Sequence, residues 1–275
     1  MKILILLFAL QCVIINSFSQ SFSKERITHL RKSVVRISIK NDKGITISSG
    51  TGFFVKEGYI LTCFHVIIPA IFDDNNLVRK KILNIYIELT DGRKFEANIS
   101  KKIISKPSDA QRYDYCILFA DIPNREHEWL KIGDFNNAPE GAEIYTSGYP
   151  LGINEQCIAK GLLSTKFNDT IIKRDEAWMD ITLNRGNSGG PIIMIGTSID
   201  EDEVIGIVDH GLTPGGKAME DMEKYFTKQN KSPAGIYESG VRASDVFEIF
   251  SNVLSNCSLG VNACVSINYC KSVLY

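Results

Sequence analysis

The sequence predicts an all-β chain, and three observations carry that expectation. Short apolar runs rich in Val, Ile, Phe and Tyr recur along most of the 275 residues, with the length and composition of strands. Clusters of Gly, Asn, Asp and Pro punctuate them, as at Asn41-Asp42-Lys43-Gly44 and Asp91-Gly92, where these residue types favour turns. Helical spacing of apolar residues is confined to the ends of the chain.

The first residues read as an export signal. Lys2 precedes a mostly apolar stretch from Ile3 to Ile15, and Ser17-Phe18-Ser19 supplies a small-x-small ending, so residues 1–19 are expected to be a signal peptide. The apolar core is short of the ~20 residues that span a bilayer. A lipoprotein reading through Cys12 lacks the usual small residue before the cysteine. The chain beyond residue 19 is long enough for one large β domain or two packed barrels. With 31 basic and 32 acidic side chains and a net charge of −1, the composition points to no nucleic-acid or membrane-surface partner.

Taken in order, residues 23–30 form a short polar helix leading into a strand over 33–39. A hairpin comes next across residues 52–66, split by Lys56-Glu57-Gly58, with His65 at the end of its second strand. Strands are then expected near 82–89 and 94–99, and another begins at Tyr115, directly after Asp114. Residues 121–140 are charged, contain Pro123 and Pro139, and read as a crossover between two halves. The second half opens with residues 130–134 and 140–152, and further strands are expected near 158–165, 178–183, 192–195 and 204–208. Residues 217–231 read as a surface excursion. Residues 244–254 carry helical spacing behind Ser244 as a cap.

Gly186-Asn187-Ser188-Gly189-Gly190-Pro191 is the most informative stretch. Glycines on both sides of a serine allow a tight turn and close backbone approach to a ligand. A serine hydroxyl needs a base to take its proton and donors to hold the oxyanion; the backbone N–H groups of Gly186 and Ser188 are candidate donors. Of four histidines, His65 is the candidate base, while His29 and His127 read as surface residues and His210 as a cleft-lining one. Asp114, abutting an apolar strand, is preferred to Asp109 as the acid that orients the base. An α/β-hydrolase elbow would need Ser, acid and His in that order and a helix after the serine; Pro191 and a β-like run stand there instead. No cysteine lies in a glycine-rich turn, which argues against a thiol nucleophile. No second ligand stands at metal spacing from His210.

With His65, Asp114 and Ser188 in that order, the chain resembles the trypsin-like serine peptidases of the chymotrypsin fold. It is most similar to their HtrA branch: Ser49-Gly50-Thr51-Gly52-Phe53-Phe54-Val55 with His65, Leu130-Lys131-Ile132-Gly133-Asp134, Gly148-Tyr149-Pro150-Leu151-Gly152, and Asp180 through Pro191 carry the likeness. The resemblance implies two antiparallel six-stranded β-barrels with a C-terminal helix, spanning residues 20–256. It also implies a secreted or periplasmic endopeptidase that acts on polypeptides through a His-Asp-Ser triad and an acyl-enzyme, without metal or organic cofactor. The alternative is a catalytically silent relative that binds peptides. The stretch after residue 254 is too short for the PDZ domain many HtrA proteins carry. There is no Ile-Val-Gly-Gly start, so activation by a newly cut amino terminus is not expected.

The resemblance places Thr182 at the base of the primary specificity pocket, with Leu183, Asp209, His210, Gly211 and Gly235 as walls. Threonine offers no carboxylate to a basic side chain, so cleavage after small or medium aliphatic residues is expected. Removal of Cys12 leaves six of the seven cysteines. Cys63 and Cys116 read as buried small hydrophobes. Cys257, Cys264 and Cys270 crowd a tail, residues 257–275, where at least one disulfide is expected.

Overall fold

A computed structural model describes residues 22–73, 77–79, 81–100, 107–123, 127–211, 237–238, 241–242 and 260–274. The signal peptide and the helix expected over 244–254 lie outside the described residues, as do Gly235 and the excursion at 217–231.

Two closed six-stranded antiparallel barrels make up the body. The first is preceded by a helix, α1 (Lys24–Ser33), whose free N-terminal amides are partly satisfied by the Ser23 hydroxyl, which accepts from Arg26 N–H. Its strands are β1 (Val34–Lys40), β2 (Thr46–Lys56), β3 (Tyr59–Thr62), β4 (Asn84–Glu88), β5 (Lys94–Ile99) and β6 (Cys116–Phe119), closed in the order β1-β2-β3-β6-β5-β4. Strand β1 alternates as side chains on a pleat must: Val35, Ile37 and Ile39 are buried and the residues between them less so. The second half of β2 is buried on both faces, because one face fills the barrel and the other meets the second barrel.

The second barrel contains β7 (Glu143–Gly148), β8 (Cys157–Asp169), β9 (Arg174–Asp180), β10 (Pro191–Met194), β11 (Glu203–Gly211) and β14 (Val261–Ser266). The short strands β12 (Tyr237–Glu238) and β13 (Val241–Arg242) pair only with each other.

Four departures from the sequence reading have physical causes. The hairpin's second strand stops at Thr62, and His65 stands in the first turn of a helix, α2 (Phe64–Ile71). Pro69 inside that helix obscures its pattern. Strand β9 begins at Arg174 and ends at Asp180, so residues 181–183 leave the ladder. The segment expected to be a tail is in part a barrel wall, since β14 pairs with both β9 and β11. A short C-terminal helix, α4 (Asn268–Leu274), follows it, and a third short helix, α3 (Pro107–Arg112), comes earlier in the chain. Cys264 and Cys270 are buried free thiols, as are Cys63 and Cys116, so among the described cysteines no disulfide forms. Burial holds the Cys264 thiol up to about 12, protonated at neutral pH. Cys257 lies outside the described residues.

Candidate active site

The two barrels meet at Thr51 of β2. Its backbone N–H donates to the carbonyl of Ser188 at 2.9 Å. Its hydroxyl donates to the carbonyl of Gly186 at 2.6 Å and accepts from the N–H of Tyr149 at 3.1 Å. A second tie runs from Cys63, whose thiol donates to the carbonyl of Val208 on β11 at 3.1 Å. That thiol is pushed well above its ordinary pKa by burial and by the nearby carboxylates of Asp114 and Asp209, so it is a neutral donor.

His65 is fixed at two atoms by one carboxylate. As a residue of the first turn of α2, it carries one of the amides a helix leaves unpaired. Asp114 Oδ1 accepts that amide at 2.9 Å, while Asp114 Oδ2 pairs with the ring Nδ1 at 2.7 Å. An anionic group at a helix N-terminus is also favoured by the helix dipole. Asp114 is buried and has φ 50, a left-handed conformation that Asp tolerates better than most residues. Such outliers persist only where their surroundings hold them; both carboxylate oxygens are held here. Asp109 sits exposed on α3. The imidazole itself is 40% exposed, so it stands between solvent and the buried acid.

The serine comes from the other barrel. Gly186 has φ 99 and Gly189 φ 85, which only glycine adopts without strain. A Cβ on Gly186 would meet the carbonyl of Tyr149 at 2.3 Å, and one on Gly189 the carbonyl of Thr51 at 2.2 Å. Gly186 therefore lets the Ser188 loop lie against the Tyr149 segment that follows β7, and Gly189 lets it lie directly on β2 of the first barrel. Gly189 N–H donates to Val208 O and Val208 N–H to Gly190 O, both at 2.9 Å, stapling the loop to β11. The Ser188 hydroxyl donates to the carbonyl of Asp209 at 3.3 Å.

Behind this junction lies a buried charge cluster. Arg174 and Glu176 alternate inward from β9, and Arg174 Nε donates to Glu176 Oε1 at 2.7 Å. Arg174 Nη2 donates to Asp209 Oδ2 at 2.6 Å, and Asp209 Oδ1 lies 3.9 Å from His65 Nδ1. All three side chains are at most 10% exposed. Burial would lower the Arg174 pKa, but Asp209 and Glu176 outweigh it and raise it. The cation is permanent.

The expected pocket residues are only partly drawn together. Thr182 is exposed, whereas Leu183 is buried in the second barrel's core. Gly211 aligns with Asn262 of β14. The Asp209 carboxylate faces Arg174 and the imidazole. Of the two histidines read as surface residues, His29 is half-buried against Glu128, its Nδ1 2.5 Å from Oε2. His127 is a correction: it is buried, packs on the Phe54 ring with centroids 4.2 Å apart, and accepts the Gly58 N–H at 3.2 Å. Its neighbours Glu128 and Trp129 are polar and amphipathic, which conceals its burial. Thr51 was legible only as part of a motif, and Arg174 and Glu176 gave no signal, because their partner lies on another strand.

Two closed six-stranded antiparallel barrels, one presenting a carboxylate-bound imidazole and the other a glycine-flanked serine, define a chymotrypsin-like fold. The chain belongs to the trypsin-like peptidase domain family, whose model matches residues 50–207. It is 32% identical over 179 residues, 63% of this chain and 31% of that protein, to a probable periplasmic serine endoprotease DegP-like of Pseudomonas savastanoi pv. phaseolicola (strain 1448A / Race 6). It is 29% identical over 180 residues, 64% of this chain and 32% of that protein, to a probable serine protease do-like of Buchnera aphidicola subsp. Acyrthosiphon pisum (strain APS). The chain thus spans about a third of the length of these curated relatives. The solved structure of the HtrA-type protease AlgW with tripeptide shares the fold, with a TM-score of 0.56 at 18% identity, covering 90% of this chain and 60% of that one.

Proposed function

We propose that the chain is a serine endopeptidase in which Ser188 is the nucleophile, His65 the general base and Asp114 the acid that orients it. The observation that carries this reading is the double hold of Asp114 on His65, at ring and amide, opposite a serine in a left-handed glycine turn. With Nδ1 bound to Asp114, the proton-accepting position is Nε2, the tautomer a serine base requires. The Ser188 hydroxyl turns about its side-chain bond from the Asp209 carbonyl to that nitrogen and attacks a peptide carbonyl. The imidazolium then returns the proton to the leaving amine, and water releases the acyl-enzyme. The backbone N–H groups of Gly186 and Ser188 hold the oxyanion.

The substrates are extended polypeptides, cut after Val, Ile, Ala or Leu, because Thr182 brings no carboxylate to a basic side chain. An export signal at residues 1–19 and relatives described as periplasmic support action in the periplasm or outside the cell. Treatment of the folded chain with a fluorophosphonate probe tests the proposal: the expected result is one covalent adduct, mapped to Ser188. A folded chain that stays unlabelled while retaining peptides would instead be a binding module.

A further inference from the structure

Asp209 takes no part in the acyl transfer, yet it touches both halves of the candidate site. Its carbonyl accepts the Ser188 hydroxyl, and its carboxylate lies 3.9 Å from the nitrogen that Asp114 already occupies. Two carboxylates behind one imidazole repel each other, and such pairs commonly retain a shared proton. Arg174 holds Asp209 Oδ2 at 2.6 Å, which sets a cation beside this pair and leaves Oδ1 turned toward the ring. Glu176 in turn fixes the guanidinium through its Nε. The arrangement spans three strands, since β14 lies between β9 and β11.

We propose that Asp209, held by Arg174 and Glu176, is a positioning residue that shares with Asp114 the task of counter-ion to the His65 imidazolium. The 3.9 Å separation and the prior claim of Asp114 on Nδ1 mean that it acts through its charge. When Ser188 gives its proton to His65, the new positive ring faces two carboxylates, one of them half-neutralised by a fixed cation. The same residue anchors the serine's resting position through its main chain. This rests on the peptidase reading, and on geometry that exists independently of it. Among the described residues, the titratable groups around the ring are Asp114 ahead of β6, Cys63 ahead of α2, and Asp209 on β11. Arg174 and Glu176 stand behind Asp209 on β9. Removing the Asp209 charge therefore changes the electrostatics of the ring without disturbing its hydrogen bond to Asp114.

The test is an NMR titration of the imidazoles in the full chain, with His65 identified by substitution. In Asp209→Asn, which keeps the side-chain shape and an oxygen for Arg174, the His65 transition moves to lower pH by about one unit, because an opposing charge is lost. An unchanged transition overturns the proposal, whether or not the chain cleaves peptides. With a peptide substrate, the acidic limb of the rate profile shifts the same way, and kcat falls about tenfold with KM unchanged. A purely structural role would lower the rate equally at all pH values. A misfolded variant does not remove the test. In the wild type the Asp209 carboxyl carbon must stay in its ionised state across the whole His65 transition, and proton uptake there at or above that transition refutes the proposal. Absence of any peptidase activity together with a shifted His65 transition would fail the peptidase reading alone.

Discussion

The two barrels share one topology but are filled by different chemistry. The interior of the first is almost wholly apolar: Ile37, Phe53, Ile60, Leu61, Ile87 and Ile117 are all buried to 1% exposure or less. The second has a smaller apolar cluster built around Leu163, Met179, Ile192 and Ile205, and it encloses Arg174, Glu176 and Asp209 beside it. Burying charges is expensive unless they are paired and hydrogen-bonded, so an ion cluster is a poor way to build a core. Its place at the back of the candidate site, against the wall that carries Ser188, suits a different use. The first barrel behaves as a rigid mount for His65 and Asp114, and the second surrenders packing to set the charge around them.

The largest effect separates the serine from everything that holds it. Ser188→Ala should lower turnover by on the order of 10⁶-fold and leave the urea midpoint unchanged, since it deletes one partly exposed oxygen. Equal loss of activity and stability would show that the loop is held by the hydroxyl instead of its glycines.

Next comes the charge cluster. Arg174→Met leaves Asp209 and Glu176 buried without their cation and should destabilise the fold by about 3–5 kcal/mol, read by urea unfolding. Replacing all three residues with apolar ones of similar volume should return most of that stability, because such exchanges are commonly neutral or favourable. Activity should not return with it. If the triple variant were as active as the wild type, the contrast between the barrels would be one of packing alone.

The smallest effect belongs to the first barrel, at His127. Burial depresses its pKa, with Glu57 pulling weakly the other way. The unfolded chain takes up a proton on this histidine first, near ~6.5, whereas the folded chain resists until the pH is lower. The neutral ring thus contributes stability that is complete above the unfolded value and is lost as pH falls through the folded one. In His127→Gln, which can still accept the Gly58 N–H, the urea midpoint should depend less on pH across that window. Identical pH dependence in variant and wild type would show that the buried ring plays no part in acid sensitivity.

Local chemistry determined what was readable from the sequence. Alternation in Val34–Lys40, the turn at Gly58 and the glycines around Ser188 each express a constraint imposed by a few neighbouring residues, so strands and nucleophile loop were legible at once. Asp114 could be preferred to Asp109 because a buried strand begins beside it. The order of His65, Asp114 and Ser188 then implied the two barrels through resemblance. The features that stayed hidden depend on pairings between distant residues. The first turn of helix α2 is capped by Asp114, far along the chain, which accepts its His65 amide. Residues 261–266 look like a tail until β9 and β11 take them up as a wall, and His127 looks exposed until Phe54 and Gly58 close around it. Asp209 read as a pocket residue because nothing near it in sequence shows that its carboxylate is claimed by Arg174. Ionic partners carry no periodicity and need no fixed spacing, so only the folded barrel could bring that arginine to the back of the imidazole.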